Sequence, residues 1–241
     1  MTDPTDRVDP VDQIDPWDPT DAGNADDPGY ADDSLGEGDG AWEAAAADPL
    51  SAPARVWRGA ALEPRRFFAA LPDTAPLGPA VLYYLVIGIA VAGAQLFWSM
   101  IFRAAGIRMG GMLGMMDGDA AWGPVVDFLL APVLLLLSLF VAAAVTHLLL
   151  KLFGGASRGY RFTVRIFAFA YSPQILGVIP FIGQVVGFVW MCVVAIVGLS
   201  AGHRTSTGRA AAAVLVPVAI VIVFGVIAAM IAAAGTLLLP G

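Results

Sequence analysis

Residues 124–150 read PVVDFLLAPVLLLLSLFVAAAVTHLLL, and Asp127 and His147 are the only ionisable side chains in this stretch. A helix needs about 20 predominantly apolar residues to cross the hydrocarbon layer of a bilayer. This run exceeds that length, so it predicts a membrane-spanning helix that either tilts or begins in the interface.

Four other stretches have the same apolar character. Only Pro180 separates the stretch at 162–179 from the one at 181–201, so these two predict a tight helical hairpin, which either crosses the bilayer or stops within it. Pro173 interrupts the first arm of the hairpin. We therefore predict an all-α integral membrane protein with about five transmembrane helices, in a membrane domain of residues 80–241. The predicted spans are 80–102, 124–150, 162–179, 181–201 and 210–239.

The first 51 residues differ sharply from the rest in composition. Fifteen of the twenty acidic residues lie between Asp3 and Asp48, where Arg7 is the only basic residue. From Asp3 to Asp21 an aspartate recurs at every third position with prolines between, which matches the turn of a polyproline II helix. The apolar surface is too small to offset the entropy of ordering, so we predict a disordered Asp/Pro-rich tail over 1–51. The aspartate stripe is then either solvated or a docking site for a basic protein partner.

Residues 52–79 interleave aromatic and basic side chains. Trp57, Phe67 and Phe68 would enter the headgroup layer while Arg65 and Arg66 reach lipid phosphate. We predict an interfacial amphipathic segment and linker; the alternative is a linker in water.

Basic residues are concentrated in alternate connections. The segment before the first span holds four arginines, residues 151–165 hold four basic residues, and residues 203–209 hold two arginines and a histidine. Cytoplasmic loops retain positive charge, so we predict a cytoplasmic N-terminus and a C-terminus outside. The opening Met-Thr-Asp-Pro predicts no cleaved targeting segment. A single cysteine, Cys192, predicts no disulfide framework; this leaves the redox compartment open and agrees with the inner (plasma) membrane that we expect.

Polar residues within the spans fall into two groups, one toward the predicted outer ends of the spans and one toward the inner ends. The outer group is predicted to form intramembrane polar contacts, with the Asp127 carboxylate accepting from one of the glutamines. An ion or proton path through these groups is the functional alternative. The candidate polar contacts are Gln95, Asp127 and Gln184. The candidate headgroup-facing basic residues are Arg65, Arg66, Lys151, Arg158, Arg161 and Arg165.

Three motifs invite a chemical interpretation, and we assign none of them a catalytic, cofactor or metal site. Residues 198–202 fit Gly-x-Ser-x-Gly around Ser200, but a nucleophile elbow needs a strand before the turn and this match ends an apolar helix. Residues 106–119 hold four methionines and two aspartates without histidine or cysteine, which favours a loop over a metal site. Residues 154–159 are glycine-rich but lack the phosphate-loop pattern.

Four stretches together resemble the Yip domain family, membrane proteins named for interacting with Ypt/Rab-type small GTPases, in its bacterial form. They are Pro64 to Phe68, His147 to Gly155, Tyr160 to Pro180 with Thr163 and Tyr171-Ser-Pro173, and Gly198 to Ala210 with His203. The resemblance covers about 52–241. It implies a five-span domain with a cytoplasmic N-terminus, and a trafficking-like role in organising membranes without catalysis.

These observations predict a non-enzymatic membrane scaffold or organiser of membrane or partner complexes. A small transporter or channel that uses the polar groups within the spans is the alternative. The expected partners are the lipid bilayer and a protein that binds the acidic tail, with homo-oligomerisation open and nucleic acid not expected.

Overall fold

The computed structural model describes residues 52–107 and 123–238, and these residues form helices joined by short turns. The predicted tail, the methionine-rich part of the loop after the first span and the last residues of the chain lie outside them. The helices are α1 (Ala52–Leu62), α2 (Pro64–Ala69), α3 (Leu77–Ala104), α4 (Gly123–Leu152), α5 (Tyr160–Ala170), a 3-10 helix (Ser172–Val178), α6 (Ile182–Gly202) and α7 (Thr207–Leu238).

Four of these helices, α3, α4, α6 and α7, are long and apolar enough to cross a membrane. Large apolar side chains are exposed on all four, among them Leu82, Leu129, Val185 and Val221. A protein in water rarely exposes so much apolar surface, whereas lipid solvates it. The prediction of an all-α integral membrane protein is confirmed, and the described residues contain no strand.

The segment predicted as the third span consists of two helices in series. α5 ends at Ala170, and Pro173 occupies the first turn of the 3-10 helix, where its missing N–H leaves no donor unpaired. The break does not face lipid, because Ser172, Pro173 and most of α5 are buried inside the bundle. An interrupted backbone at membrane depth is tolerated only where protein encloses it.

This composite segment runs alongside α3 for most of that helix. The Arg165 guanidinium bonds to the carbonyl oxygens just before α3, and the Tyr83 hydroxyl lies 2.7 Å from Ser172 Oγ. Further along, the amide of Gln95 donates to Gly177 O at 3.1 Å. The composite segment therefore packs along α3, and neither of its two helices is among the four that are long and apolar enough to cross a membrane.

The hairpin expected at Pro180 has a very tight tip. Phe181 adopts φ 62°, and the N–H of Ile182 donates to Pro180 O at 2.8 Å. A Cβ on Gly183 would overlap the Leu176 carbonyl oxygen, and one on Gly187 would lie 3.0 Å from Pro173 O. The two glycines therefore let α6 approach the backbone of the 3-10 helix.

The segment α1–α2 turns its apolar side to the protein rather than to lipid. The indole of Trp57 donates to Ser172 O at 2.9 Å, and that of Trp190 donates to Ala61 O at 3.1 Å. Phe68 is fully buried and packs against Gly198 of α6. The sequence shows the amphipathic character of this segment, but the bundle takes up the aromatic faces that we expected in the headgroup layer.

Candidate functional site

One end of the bundle collects the basic connections and the buried polar groups. The last turns of α4, the start of α5, the residue after α6 and the linker between α2 and α3 meet there. Three of these elements each contribute one member of a buried polar chain: His147 from α4, Thr163 from α5 and His203 after α6. We call this end of the molecule the basic end.

The polar chain runs from the loop before α5 to the interior of α4. The backbone N–H of Arg158 donates to His203 Nδ1 at 3.2 Å. Thr163 Oγ1 lies 3.0 Å from His203 Nε2 and 2.9 Å from His147 Nδ1. His203 and Thr163 have no exposed surface, and His147 is also buried.

The backbone donor sets the direction of the two bonds that His203 makes. Because His203 Nδ1 accepts from Arg158, its ring proton must lie on Nε2, which then donates to the Thr163 hydroxyl. The Thr163 hydroxyl lies within hydrogen-bond distance of His147 Nδ1 as well, so it joins the two rings. The His203 imidazole is therefore neutral, and adding a proton to its Nδ1 would oppose the Arg158 N–H.

Burial, with smaller contributions from the nearby His147 and Arg158, lowers the pKa of His203 to about 4, while Asp73 acts in the opposite direction. Desolvation penalises the imidazolium form, which agrees with the neutral ring that the hydrogen bonds require. The polar chain is thus intact at neutral pH.

Two arginines hold the linker that leads into α3. Arg165 donates to Pro72 O at 2.7 Å and to Asp73 O at 2.9 Å. Arg158 Nε lies 3.1 Å from the Asp73 carboxylate, and Arg158 Nη1 donates to Leu71 O at 3.5 Å. Both guanidinium groups lie over the ring of Phe162, at 4.4 Å for Arg158 and 5.0 Å for Arg165.

Arg165 does not lie where we predicted it from the sequence. We expected it to face lipid headgroups, but its side chain is only 2% exposed and its hydrogen bonds go to backbone carbonyls. α5 begins at Tyr160, so Arg165 lies more than a turn inside the helix and on the side that packs against the linker. Arg65, Arg66, Lys151 and Arg161 are exposed and Arg158 is partly buried, so headgroup contact remains a prediction for these five.

A shallow pocket of about 240 Å³ opens at the basic end. Its wall consists of residues from the loop before α5, the first turns of α5 and the linker. The lining residues are Asp73, Ser157, Arg158, Gly159, Arg161, Phe162 and Arg165.

The outer polar residues do not form the expected contact. Gln95 donates to Gly177 O, and Gln184 is exposed on α6. Asp127 Oδ1 is buried and has no hydrogen-bond partner among the described residues, so neither glutamine donates to this oxygen. A contact between Asp127 and either Gln95 or Gln184 remains a prediction without support from the geometry.

The Gly-x-Ser-x-Gly motif at 198–202 forms the last residues of α6. The Ser200 hydroxyl donates to Thr205 O at 2.8 Å, and both ring nitrogens of His203 are engaged in the polar chain. No strand precedes Ser200 among the described residues, so the nucleophile elbow is not formed. In the same part of the chain, no three His, Cys, Asp or Glu side chains are grouped as metal ligands.

The contact of His147 and His203 with Thr163 was not predicted from the sequence. A signal was available, because each of the three lies in a different one of the stretches that resemble the Yip domain family. Their distance along the chain hid the contact, since 40 residues separate Thr163 from His203.

The fold and the basic end define a multi-pass α-helical membrane protein with a composite helical segment packed along α3 and a buried His-Thr-His chain. The model of the Yip1 domain family matches residues 58–230, from the middle of α1 into α7, and the chain belongs to this family. Comparisons with curated proteins and with solved structures each found no match.

Proposed function

We propose that this protein is a non-enzymatic membrane scaffold whose basic end is a fixed platform and whose acidic tail recruits a partner. The carrying observation is that the buried polar groups of the basic end bond to one another across α4, α5, α6 and the linker. Bonds between elements hold a surface in one shape, which suits docking more than chemistry. Membership of the Yip1 domain family supports a role in organising membranes or complexes.

The distribution of charge supports an orientation for the platform. The basic connections at 151–165 and 203–209 both lie at this end, together with the linker that follows α2. Positive loops are retained in the cytoplasm. We infer that the platform and the N-terminus are cytoplasmic, that the C-terminus is outside and that the membrane is a bacterial inner membrane.

The test is the capture of neighbouring proteins from native membranes. Three forms are compared: the full chain, a chain that lacks residues 2–50, and a full-length chain with the seven aspartates from Asp3 to Asp21 changed to asparagine. We expect a partner that is captured by the full chain and lost from both variants, because a basic partner needs the negative stripe.

The asparagine variant is the matched control for length. A partner lost only on deletion would show that the tail recruits without its aspartate stripe. Identical capture by all three forms would overturn recruitment by the tail.

One observation favours a second candidate, a small transporter or channel. The buried Asp127 Oδ1 lies in the first turns of α4 without a hydrogen-bond partner in the described part of the chain. Ionisable groups inside the membrane often mark ion or proton paths. Flux through reconstituted protein separates this candidate from the scaffold.

A further inference from the structure

The residues that line the pocket at the basic end carry more positive than negative charge. Three guanidinium groups line it and one carboxylate, that of Asp73, accompanies them. Asp73 forms its ion pair with Arg158 and is itself 65% exposed. The local charge is therefore close to plus two, in a recess bounded by the Phe162 ring.

Arg165 adds a buried cation whose direct partners are neutral. Its two hydrogen bonds go to the carbonyl oxygens of Pro72 and Asp73, and it forms no ion pair among the described residues. The Asp73 carboxylate attracts this cation from a distance, whereas Arg158 and Arg161 repel it. A buried charge is costly unless opposite charge offsets it, and an anion in the pocket would add negative charge there.

Arg161 is the cation that is free to bind. It lines the pocket, its side chain is exposed, and within the described ranges it has neither a hydrogen bond nor an ion pair. Its guanidinium can therefore reach an anion without giving up a contact within the protein. A guanidinium fork matches two oxygens of a phosphate group.

The backbone at the pocket also offers donors. Gly159 is the N-cap of α5; the Phe162 N–H already donates to Gly159 O, which leaves the N–H groups before it in the first turn without an intrahelical acceptor. The position of a Cβ on Gly159 is open space, so a ligand can approach the backbone there. Helix N-termini attract anions, and here three arginines converge on the same place.

We propose that this pocket binds a phosphate group, with Arg161 and Arg158 as its principal ligands and Arg165 as the buried counter-charge. The phosphate belongs either to the headgroup of an anionic membrane lipid or to a free phosphate in the aqueous phase. The pocket lies at the end of the bundle where the positive-inside rule places anionic headgroups within reach. This goes beyond a scaffold, since the proposed recruitment through the tail needs no lipid site.

The polar chain positions the pocket. The N–H of Arg158 bonds to His203, and the Ser157 hydroxyl donates to His203 O. The loop that carries Arg158 and Gly159 is thereby tied to the end of α6. The ligands keep their places without the phosphate.

The experiment uses the full chain in phosphatidylcholine nanodiscs. In one arm increasing fractions of phosphatidylglycerol are added, and in the other inorganic phosphate is added to discs of phosphatidylcholine alone. Bound lipid or phosphate is counted by native mass spectrometry after release from the disc, and the thermal midpoint is followed by tryptophan fluorescence. The variants are Arg161→Gln and the matched control Arg204→Gln, which removes one exposed positive charge from the same end outside the pocket.

We expect saturable binding that Arg161→Gln weakens on the order of tenfold, as for the loss of a charged hydrogen bond, and that Arg204→Gln leaves unchanged. Because Arg161 is exposed and has neither a hydrogen bond nor an ion pair within the described residues, its variant should keep the fold. Saturation with phosphatidylglycerol alone identifies a lipid headgroup, and saturation with inorganic phosphate identifies a free phosphate. Equal weakening by both variants, or no saturation in either arm, would overturn the proposal. Either result leaves the capture experiment on the tail unaffected.

Discussion

The guanidinium groups of Arg158 and Arg165 both lie over the ring of Phe162, and these two arginines connect the linker to α5. An aromatic face attracts a cation, and each arginine also bonds to backbone oxygens of the linker. The arginines at this end of the protein therefore have two different roles. Arg165 joins parts of the protein, whereas Arg161 points outward.

At the residue scale we predict that acid weakens the fold through His203. Its pKa falls from an ordinary value near 6.5 to about 4 in the folded protein, so between these values the unfolded chain binds more protons. The stabilising contribution is complete above about pH 6.5 and is lost as pH falls toward 4, amounting to about 3 kcal/mol at most.

The measurement is the thermal midpoint in neutral detergent between pH 7.5 and 4.5, for the wild type and for His203→Gln. We expect the variant to be less stable at pH 7.5 and to lose part of the wild type's acid dependence. Asp73, His147 and Arg158 face the same ring and remain in both proteins, so only the difference between the two curves reports His203. Parallel curves would contradict the prediction.

At the scale of elements, the hairpin of the 3-10 helix and α6 depends on close backbone approach. Gly183 faces the Leu176 carbonyl, and Gly187 lies one turn further along the same side of α6. Backbone cannot move aside as a flexible side chain can. The tip at Phe181, with its positive φ, leaves the two arms little freedom to separate.

We predict that Gly183→Ala destabilises the protein by about 1–3 kcal/mol, as for overpacking elsewhere. Gly208→Ala is the matched control, because Gly208 lies in the first turn of α7 and a Cβ there meets open space. Alanine also has the higher helix propensity, so the control should be neutral or slightly stabilising. The thermal midpoints of the two variants are compared in the same detergent. Equal midpoints would show that the hairpin arms can move apart.

At the scale of the whole molecule, the arrangement of polar groups bears on whether the bundle conducts. Gln95 is committed to Gly177 O, and His147 lies twenty residues from Asp127, roughly 30 Å along α4. A relay needs groups close enough to pass a proton. The described residues do not provide such a series between Asp127 and the polar chain.

We therefore predict that liposomes containing the wild type or Asp127→Asn leak protons and monovalent cations no faster than protein-free liposomes. The measurement uses a pH-sensitive dye inside the vesicles and an imposed potential. Flux that requires the wild type and is lost in Asp127→Asn would contradict the scaffold and establish the conduit. Flux that is equal in both proteins would point to a path that does not use Asp127.

The sequence by itself determined the class of fold. Hydropathy and length are local properties, so the spans at 80–102, 124–150 and 181–201 could be located without knowing their neighbours. Pro173 and Pro180 likewise marked the break in the third segment and the hairpin tip, because proline acts on its own backbone. The family resemblance was also recognisable from the order of residues in four stretches, and the Yip1 domain match over 58–230 confirms the family.

Only the tertiary structure decided which polar groups meet. It buried Arg165 against the linker, turned the aromatic side of α1–α2 to the bundle, and joined His147 to His203 through Thr163. It also left Gln95 bonded to a carbonyl rather than to Asp127. The physical reason is that a hydrogen bond depends on the relative rotation and depth of two helices, and these follow from the packing of all the helices together.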